Sequence, residues 1–144
     1  MLSCTKKYSD IPFAHRQPKH DGHCRLIHGH NWAFEFEFTA EVTDENGFVA
    51  DFGKLKDLKE WVNRFDHALA LNENDPLVDF LQKLDRPIGV IAKIITVPDA
   101  SCEGLAQLAY AVASGIVESV TQKRAKVSRV TIYEDSKNSA TYIP

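Results

Sequence analysis

The stretch NWAFEFEFTAEV, residues 31–42, alternates without a break. Trp32, Phe34, Phe36 and Phe38 fall on one face of an extended chain; Ala33, Glu35, Glu37 and Thr39 fall on the other. A period of two is that of a strand with one face buried and one face in water. Working outward, the period changes at Phe52. Phe52, Leu55, Leu58, Val62 and Phe65 recur at helical spacing, with Asp51 placed to cap the first turn. Leu105, Leu108, Ala109, Val112, Ile116 and Val120 mark a second long helix, and LVDFLQKL (77–84) a short one. TDENGF (43–48) is a turn leading to residues 49–51, a short strand or the approach to the helix. DIPFAH (10–15) reads as a first strand, with Pro12 at an edge or an irregular start. VIAKIITV (90–97) contains a strand, KVSRVTIYE is another and ATYI a short closing one. DHALALNEND, past the first helix, reads as irregular. Strand pairs bracketing helices predict an α+β fold, with helices on one face of an antiparallel sheet.

The 144 residues suit one domain, 1–144, with a core of its own. A net charge of −3 and a pI near 6.0 argue against a nucleic-acid partner, which needs clustered Lys and Arg. No apolar run approaches a membrane span, and the first residues lack the apolar segment of a signal peptide. Three scattered cysteines (Cys4, Cys24, Cys102) form no disulfide framework, so a cytoplasmic location with reduced thiols is expected.

Upstream of the alternating strand stands HCRLIHGHNW, residues 23–32, with three of the six histidines. Residues i and i+2 of a strand share a face, about 7 Å apart. His28 and His30 therefore project side by side, in the parity that continues into Trp32 and Phe34. Two imidazoles so placed converge on one metal ion, and a catalytic zinc asks for three protein ligands and one open position. His15, at the end of the neighbouring strand, is the candidate third; His23 is a reserve, and His20 reads as a loop residue. The alternative is a pair of surface histidines on a polar strand face. Cys24 sits four residues before His28, where a nearby cation would favour its thiolate. Asp66–His67 follows the first helix, either as an acid/base pair or as a histidine favoured by the helix dipole.

These segments together resemble the 6-pyruvoyltetrahydropterin synthase and 6-carboxytetrahydropterin synthase family. FAH, CRLIHGHNW, GFVADFGKLK, FDHALALN, PDASCEGLA and VTIYE occur in the family's order. The resemblance implies a T-fold: a four-stranded antiparallel sheet with two helices on one face, whose subunits form trimeric barrels stacked as a homo-hexamer with sites between subunits. It implies zinc on His15, His28 and His30. Cys24, Asp66 and His67 would be catalytic. Glu134 would bind the pterin edge of 7,8-dihydroneopterin triphosphate, with Ser101, Glu103, Phe48 and Phe52 as further substrate contacts. From the residues alone, Glu134 is equally a surface residue ending a strand, Glu103 a partner for the helix dipole, and Phe52 a core residue of the first helix.

The three-residue gap between Cys24 and His28, and the aromatic Phe48 and Phe52, resemble the carboxy-type members. These yield 6-carboxy-5,6,7,8-tetrahydropterin on the 7-deazaguanine route to queuosine. The alternatives are the pyruvoyl-type reaction and a zinc-bearing protein that binds a pterin without turnover. Cys102, Gly104 and Trp32 depart from the family pattern, which more often has a hydroxyl residue, Asn, and Tyr or Phe there. The segment 73–97 is longer than in compact members.

Overall fold

The computed structural model describes residues 1–144. Its frame is a long antiparallel hairpin of β1 (Leu2–His15) and β2 (His28–Ala40). β2 keeps the alternation of its sequence: Trp32, Phe34, Phe36 and Phe38 are wholly buried on one face. Each such side chain contributes roughly 1.5–3 kcal/mol by leaving water, enough to fix which face turns inward.

β5 (Lys126–Tyr133) pairs with β2, and β6 (Ser139–Tyr142) with β5, both antiparallel. These four strands are the antiparallel sheet expected from the sequence. Two more extend it on the far side of β1, giving the order β4-β3-β1-β2-β5-β6. β3 (Ala68–Asn72) runs parallel to β1, and β4 (Lys93–Val97) parallel to β3. The sheet is therefore mixed and six-stranded, and ALALN, read as irregular, is a strand. Four of its five residues are buried. A parallel strand covered on both faces shows no alternation, so it carries no period-two signal. Pro12, without an N–H, sits just before β1 begins to pair with β3 at Ala14.

α1 (Lys56–Asn63) and α3 (Cys102–Val120) cover the inward face. α1 buries Leu58 and Val62. α3 buries Leu105, Ala106, Ala109, Ala113 and Val117, a small-residue stripe that brings it close to the sheet. Asp51 caps as expected, accepting from the Gly53 N–H at 2.9 Å, but what it caps is a 3-10 turn, Phe52–Lys54, ahead of α1. Phe52 is 45% exposed and is not a core residue. α2 (Leu77–Ile88) bridges β3 and β4 and buries no residue fully.

β1 is not a regular strand. Tyr8 stands opposite Phe34 and Ile11 opposite Trp32, so three steps on β1 match two on β2. The extra residue is a bulge. Asp10 within it has φ 60°, and its carboxylate accepts from Asn31 Nδ2 at 3.0 Å. The inward set on β1 consequently changes parity, from Cys4, Lys6 and Tyr8 to Ile11, Phe13 and His15. Beyond β1, the Arg16 guanidinium grips Asp75 with Nε at 2.7 Å and Nη2 at 2.5 Å, and Asp75 also accepts from the Leu77 N–H at the start of α2.

Two stability outcomes follow from these contacts. At Asp10 the left-handed backbone suits Asp, Asn or Gly, and a β-branched residue is strained there by about 1–3 kcal/mol. Urea denaturation should find Asp10→Val weakened by that amount and Asp10→Gly close to the parent; equal stability of the two would remove the strain argument. Arg16 holds the Asp75 carboxyl below its ordinary 3.8, by hydrogen bonding first and charge second. The Asp75 side chain has no solvent exposure, so Arg16→Met strands a carboxylate and should cost about 3 kcal/mol near neutral pH. The contribution is full above pH 3.8 and is lost as the pH falls through the lowered pKa of the folded state, so parent and variant should converge in acid.

Candidate metal centre

The β1–β2 register sets His15 directly opposite His28, with His30 two residues further along β2. All three rings lie on the inward face, at the end of the hairpin where the loop 16–27 joins β1 to β2. His15 Nε2 and His28 Nε2 are 3.1 Å apart. Glu134, just past the end of β5, adds a carboxylate: its Oε1 lies 2.7 Å from His30 Nε2 and 3.5 Å from His15 Nε2. One atom from each of the four residues falls within 4.8 Å of every other. Beneath them, Trp32 meets His15 and His30 edge-on at 4.8 and 5.4 Å. Phe13 stacks on Trp32 at 4.3 Å, and the Trp32 indole N–H donates to the Phe13 carbonyl. The floor of the site is thus apolar and its polar atoms point up.

The outer nitrogens decide the tautomers. His15 Nδ1 is 2.7 Å from the Ala100 carbonyl, and His28 Nδ1 is 2.7 Å from the Leu26 carbonyl. A carbonyl only accepts, so both Nδ1 atoms carry the proton and both Nε2 atoms present lone pairs inward. Burial, followed by the neighbouring imidazoles, lowers the His15 pKa from its ordinary 6.5, against an opposing pull from the Ala100 hydrogen bond. The net effect keeps the ring neutral, which is the form that binds metal.

A zinc ion fits this donor set. Bonds of about 2.0–2.1 Å in a tetrahedron put adjacent ligand atoms about 3.3 Å apart, near the observed nitrogen spacing. His30 Nε2 is buried and lacks a hydrogen-bond partner, since its short approach to Glu134 falls outside hydrogen-bond geometry. A buried imidazole nitrogen left in this way, beside two inward lone pairs and a carboxylate, is explained by a cation at their centre.

Other residues singled out in the sequence are placed as follows. Cys24 is exposed, in a 3-10 turn (His23–Arg25) of the loop between β1 and β2, and stays outside the histidine cluster. Its carbonyl accepts from the Gln17 N–H at 2.7 Å, which closes that loop. Asp66 and His67 pair with each other, Oδ1 to Nδ1 at 3.0 Å, with His67 exposed and Asp66 half-buried. His67 has φ 59° and its N–H donates to the Pro12 carbonyl, which lays the pair alongside β1. Ser101 caps α3, its Oγ accepting from the Gly104 N–H at 3.0 Å, and Glu103 is exposed in the first helical turn. A Cβ at Gly104 would stand 2.5 Å from both the Cβ and the carbonyl oxygen of Asp99, so the loop before α3 is seated on a bare backbone. Cys102 is buried with its thiol directed at the Ile132 carbonyl, and burial pushes its pKa up to about 12, an inert thiol.

Phe48 and Phe52 line a separate hollow of about 420 Å³ with Leu2, Cys4, Val49 and Ala50. Cys4 and His15 are eleven residues apart on one strand, about 35 Å at 3.3 Å per residue. The two phenylalanines and the histidines of the same chain therefore stand at opposite ends of the hairpin. What sequence reasoning missed was the position of Glu134 beside the histidines. Only the pairing of Tyr133 with Ala33 carries it there.

The family model described as 6-pyruvoyl tetrahydropterin synthase matches residues 4–144. A Rickettsia conorii protein named 6-carboxy-5,6,7,8-tetrahydropterin synthase is 39% identical over 77 residues, which are 52% of this chain and 55% of that protein. The chain thus spans little more than half the length of that relative. The solved structure of an uncharacterised protein from Wolinella succinogenes has a TM-score of 0.82 and 18% identity, covering 99% of this chain and 97% of that one. That of the Caenorhabditis elegans 6-pyruvoyl tetrahydropterin synthase has a TM-score of 0.61 and 24% identity, covering 100% and 97%. These likenesses show the fold, the α+β T-fold that the sequence implied.

The geometry predicts about one zinc per chain by elemental analysis of protein loaded with Zn(II) and desalted. His28→Ala should lose most of it while its far-ultraviolet circular dichroism is unchanged. Full zinc occupancy in that variant would mean that the three nitrogens do not act together.

Proposed function

We propose a reaction for this chain, which belongs to the 6-pyruvoyl tetrahydropterin synthase family: the zinc-dependent conversion of 7,8-dihydroneopterin triphosphate to 6-carboxy-5,6,7,8-tetrahydropterin, with release of acetaldehyde and triphosphate. The observation that carries it is the convergence of His15, His28, His30 and Glu134 over an apolar floor. The carboxy-type product is supported by the three-residue Cys24–His28 gap and by the relative that bears that name.

His15, His28 and His30 would hold a zinc ion, which when bound would supply Lewis-acid polarisation of an oxygen on the substrate side chain. The rest falls to the chain's own groups. Cys24, exposed on the loop that joins β1 to β2, gives and takes protons at the side-chain carbons. His67, oriented by Asp66 at 3.0 Å, is the second proton carrier. Glu134 turns Oε1 to the histidines, so Oε2 is the acceptor offered to the amino and ring N–H groups of a pterin. Ser101, the cap of α3, and Glu103, in its first turn, would be further substrate contacts.

Phe48 and Phe52 reach a substrate only if another copy brings them to the histidines, about 35 Å being too far within one chain. β4 and β6 each leave an open sheet edge, which closure into a ring would cover. A homo-hexamer, a dimer of trimers, is the assembly in keeping with both points. No helix is long and apolar enough to cross a membrane, and a cytoplasmic location accords with the free thiols. The pyruvoyl-type reaction is the second reading, favoured by the name of the family to which the chain belongs.

Mass spectrometry after incubation with zinc and 7,8-dihydroneopterin triphosphate should find the 6-carboxy product and, with a carbonyl trap, acetaldehyde. A product retaining all three side-chain carbons would assign the pyruvoyl-type reaction instead. Cys24→Ala should keep its metal and lose about 10²-fold or more in turnover, as expected for a missing acid/base group. Loss of zinc in that variant would make Cys24 a ligand and end its proposed role.

A further inference from the structure

His15 is held from behind by a carbonyl, and that carbonyl is itself held. The Ala100 N–H donates to Asn72 Oδ1 at 2.7 Å. Asn72 Nδ2 donates to Gln17 Oε1 at 3.2 Å, and Gln17 Nε2 to Asp99 Oδ1 at 3.0 Å. The same Asp99 oxygen accepts the Ser101 N–H at 2.8 Å. The backbone N–H of Gln17 donates to the Cys24 carbonyl. Asn72 thus closes a circuit between the ends of β1 and β3, the loop before α3 and the loop that bears Cys24.

We propose that Asn72 is a positioning residue for the metal centre: by holding Ala100 through its N–H it sets the carbonyl of the next peptide, which locks His15 in the Nδ1–H form and aims Nε2 at His28 and His30. The inference rests on the metal reading given above and extends it to a residue that touches neither metal nor substrate. Its physical basis is the cost of freedom. A ring free to rotate, or to place its proton on Nε2, has to be reorganised before it binds a metal, and a fixed acceptor behind Nδ1 removes that step. The fixed acceptor here is the carbonyl of the Ala100–Ser101 peptide, in a loop with no ladder partner of its own; the N–H of that peptide goes to Asp99. Asn72 holds the preceding peptide through the Ala100 N–H and so ties this loop to the sheet. Asn suits the task because its oxygen takes the peptide N–H while its amide group donates onward. Without Asn72 the Ala100 N–H, beside a buried residue, has no acceptor.

The test uses metal alone, with no pterin present, so its outcome does not depend on which pterin reaction the protein performs. Chelator competition gives the Co(II) and Zn(II) affinities of parent, Asn72→Ala and Asn72→Asp, and the visible Co(II) bands report ligand geometry. Asn72→Ala should bind about 10–100-fold more weakly, as when an outer partner of a ligating histidine is removed, with altered Co(II) bands. Asn72→Asp keeps the oxygen that accepts from Ala100, and should restore both affinity and bands. A purely structural role would lower the thermal midpoint of Asn72→Ala and leave the affinity and bands of its folded fraction unchanged, which overturns the proposal. Should Asn72→Ala fail to fold, long-range ¹H–¹⁵N correlation on the metal-free parent and on Asn72→Asp decides. The Nδ1–H tautomer of His15 in both supports it, and the Nε2–H tautomer in either overturns it.

Discussion

Everything at the looped end of the hairpin depends on one surplus residue in β1. Side chains on a strand change face at every step, so a one-residue slip between paired strands exchanges inside and outside. β2 is held in register by four buried aromatic rings and cannot slip. β1 therefore absorbs the mismatch at the bulge, where Asp10 adopts a left-handed backbone and is braced by Asn31. Below the bulge the even positions face the helices, and above it the odd ones do. A regular β1 would point Phe13 and His15 outward. Trp32 would lose its stacking partner and His28 its neighbour. The strain at one residue is thus the condition on which three histidines share a centre.

That centre works against the stability of the fold around it. Three imidazoles and a carboxylate are gathered above an apolar floor, and one buried nitrogen goes without a hydrogen bond. Groups buried in this way are costly unless paired. The surroundings compensate in two ways. Backbone carbonyls take the outer protons of His15 and His28, so that each ring has one satisfied nitrogen. Immediately after His15, the Arg16–Asp75 pair ties the end of β1 to the start of α2. This rigid collar keeps the inward lone pairs close together when nothing stands between them.

The sequence was most readable where a local period sets the structure. Trp32 to Phe38 declares a strand, and the same parity extended backward predicts that His28 and His30 share a face. The stripe from Leu105 to Val120 declares a helix. Legibility falls where position depends on what lies alongside. Ala68 to Leu71, buried on both sides, shows no period. Glu134 reads as the end of a strand, and only β5 lying next to β2 makes it a neighbour of His30. Phe52 has the spacing of a helix residue, yet the Asp51 cap tightens the chain into a 3-10 turn and leaves the ring exposed. Asn72 and Gln17 are polar residues with no pattern at all, 55 positions apart in the chain and joined only by the closing of the sheet.

The contact between Gly104 and Asp99 has a consequence for how this protein can change over time. The backbone of residue 104 carries nothing because the Asp99 side chain and carbonyl already fill the space a Cβ needs. Asp99 in turn is engaged by Ser101 and Gln17. An asparagine at 104, the residue usual in the family this chain resembles, is therefore barred by a neighbour five positions away. Placing a side chain at 104 would displace the loop that carries Ala100. A change of side chain at 99 would not lift the bar, because the Asp99 carbonyl oxygen that stands 2.5 Å away is backbone. Position 104 is closed to any single substitution that keeps this loop where it is, so the loop and the start of α3 can only change together.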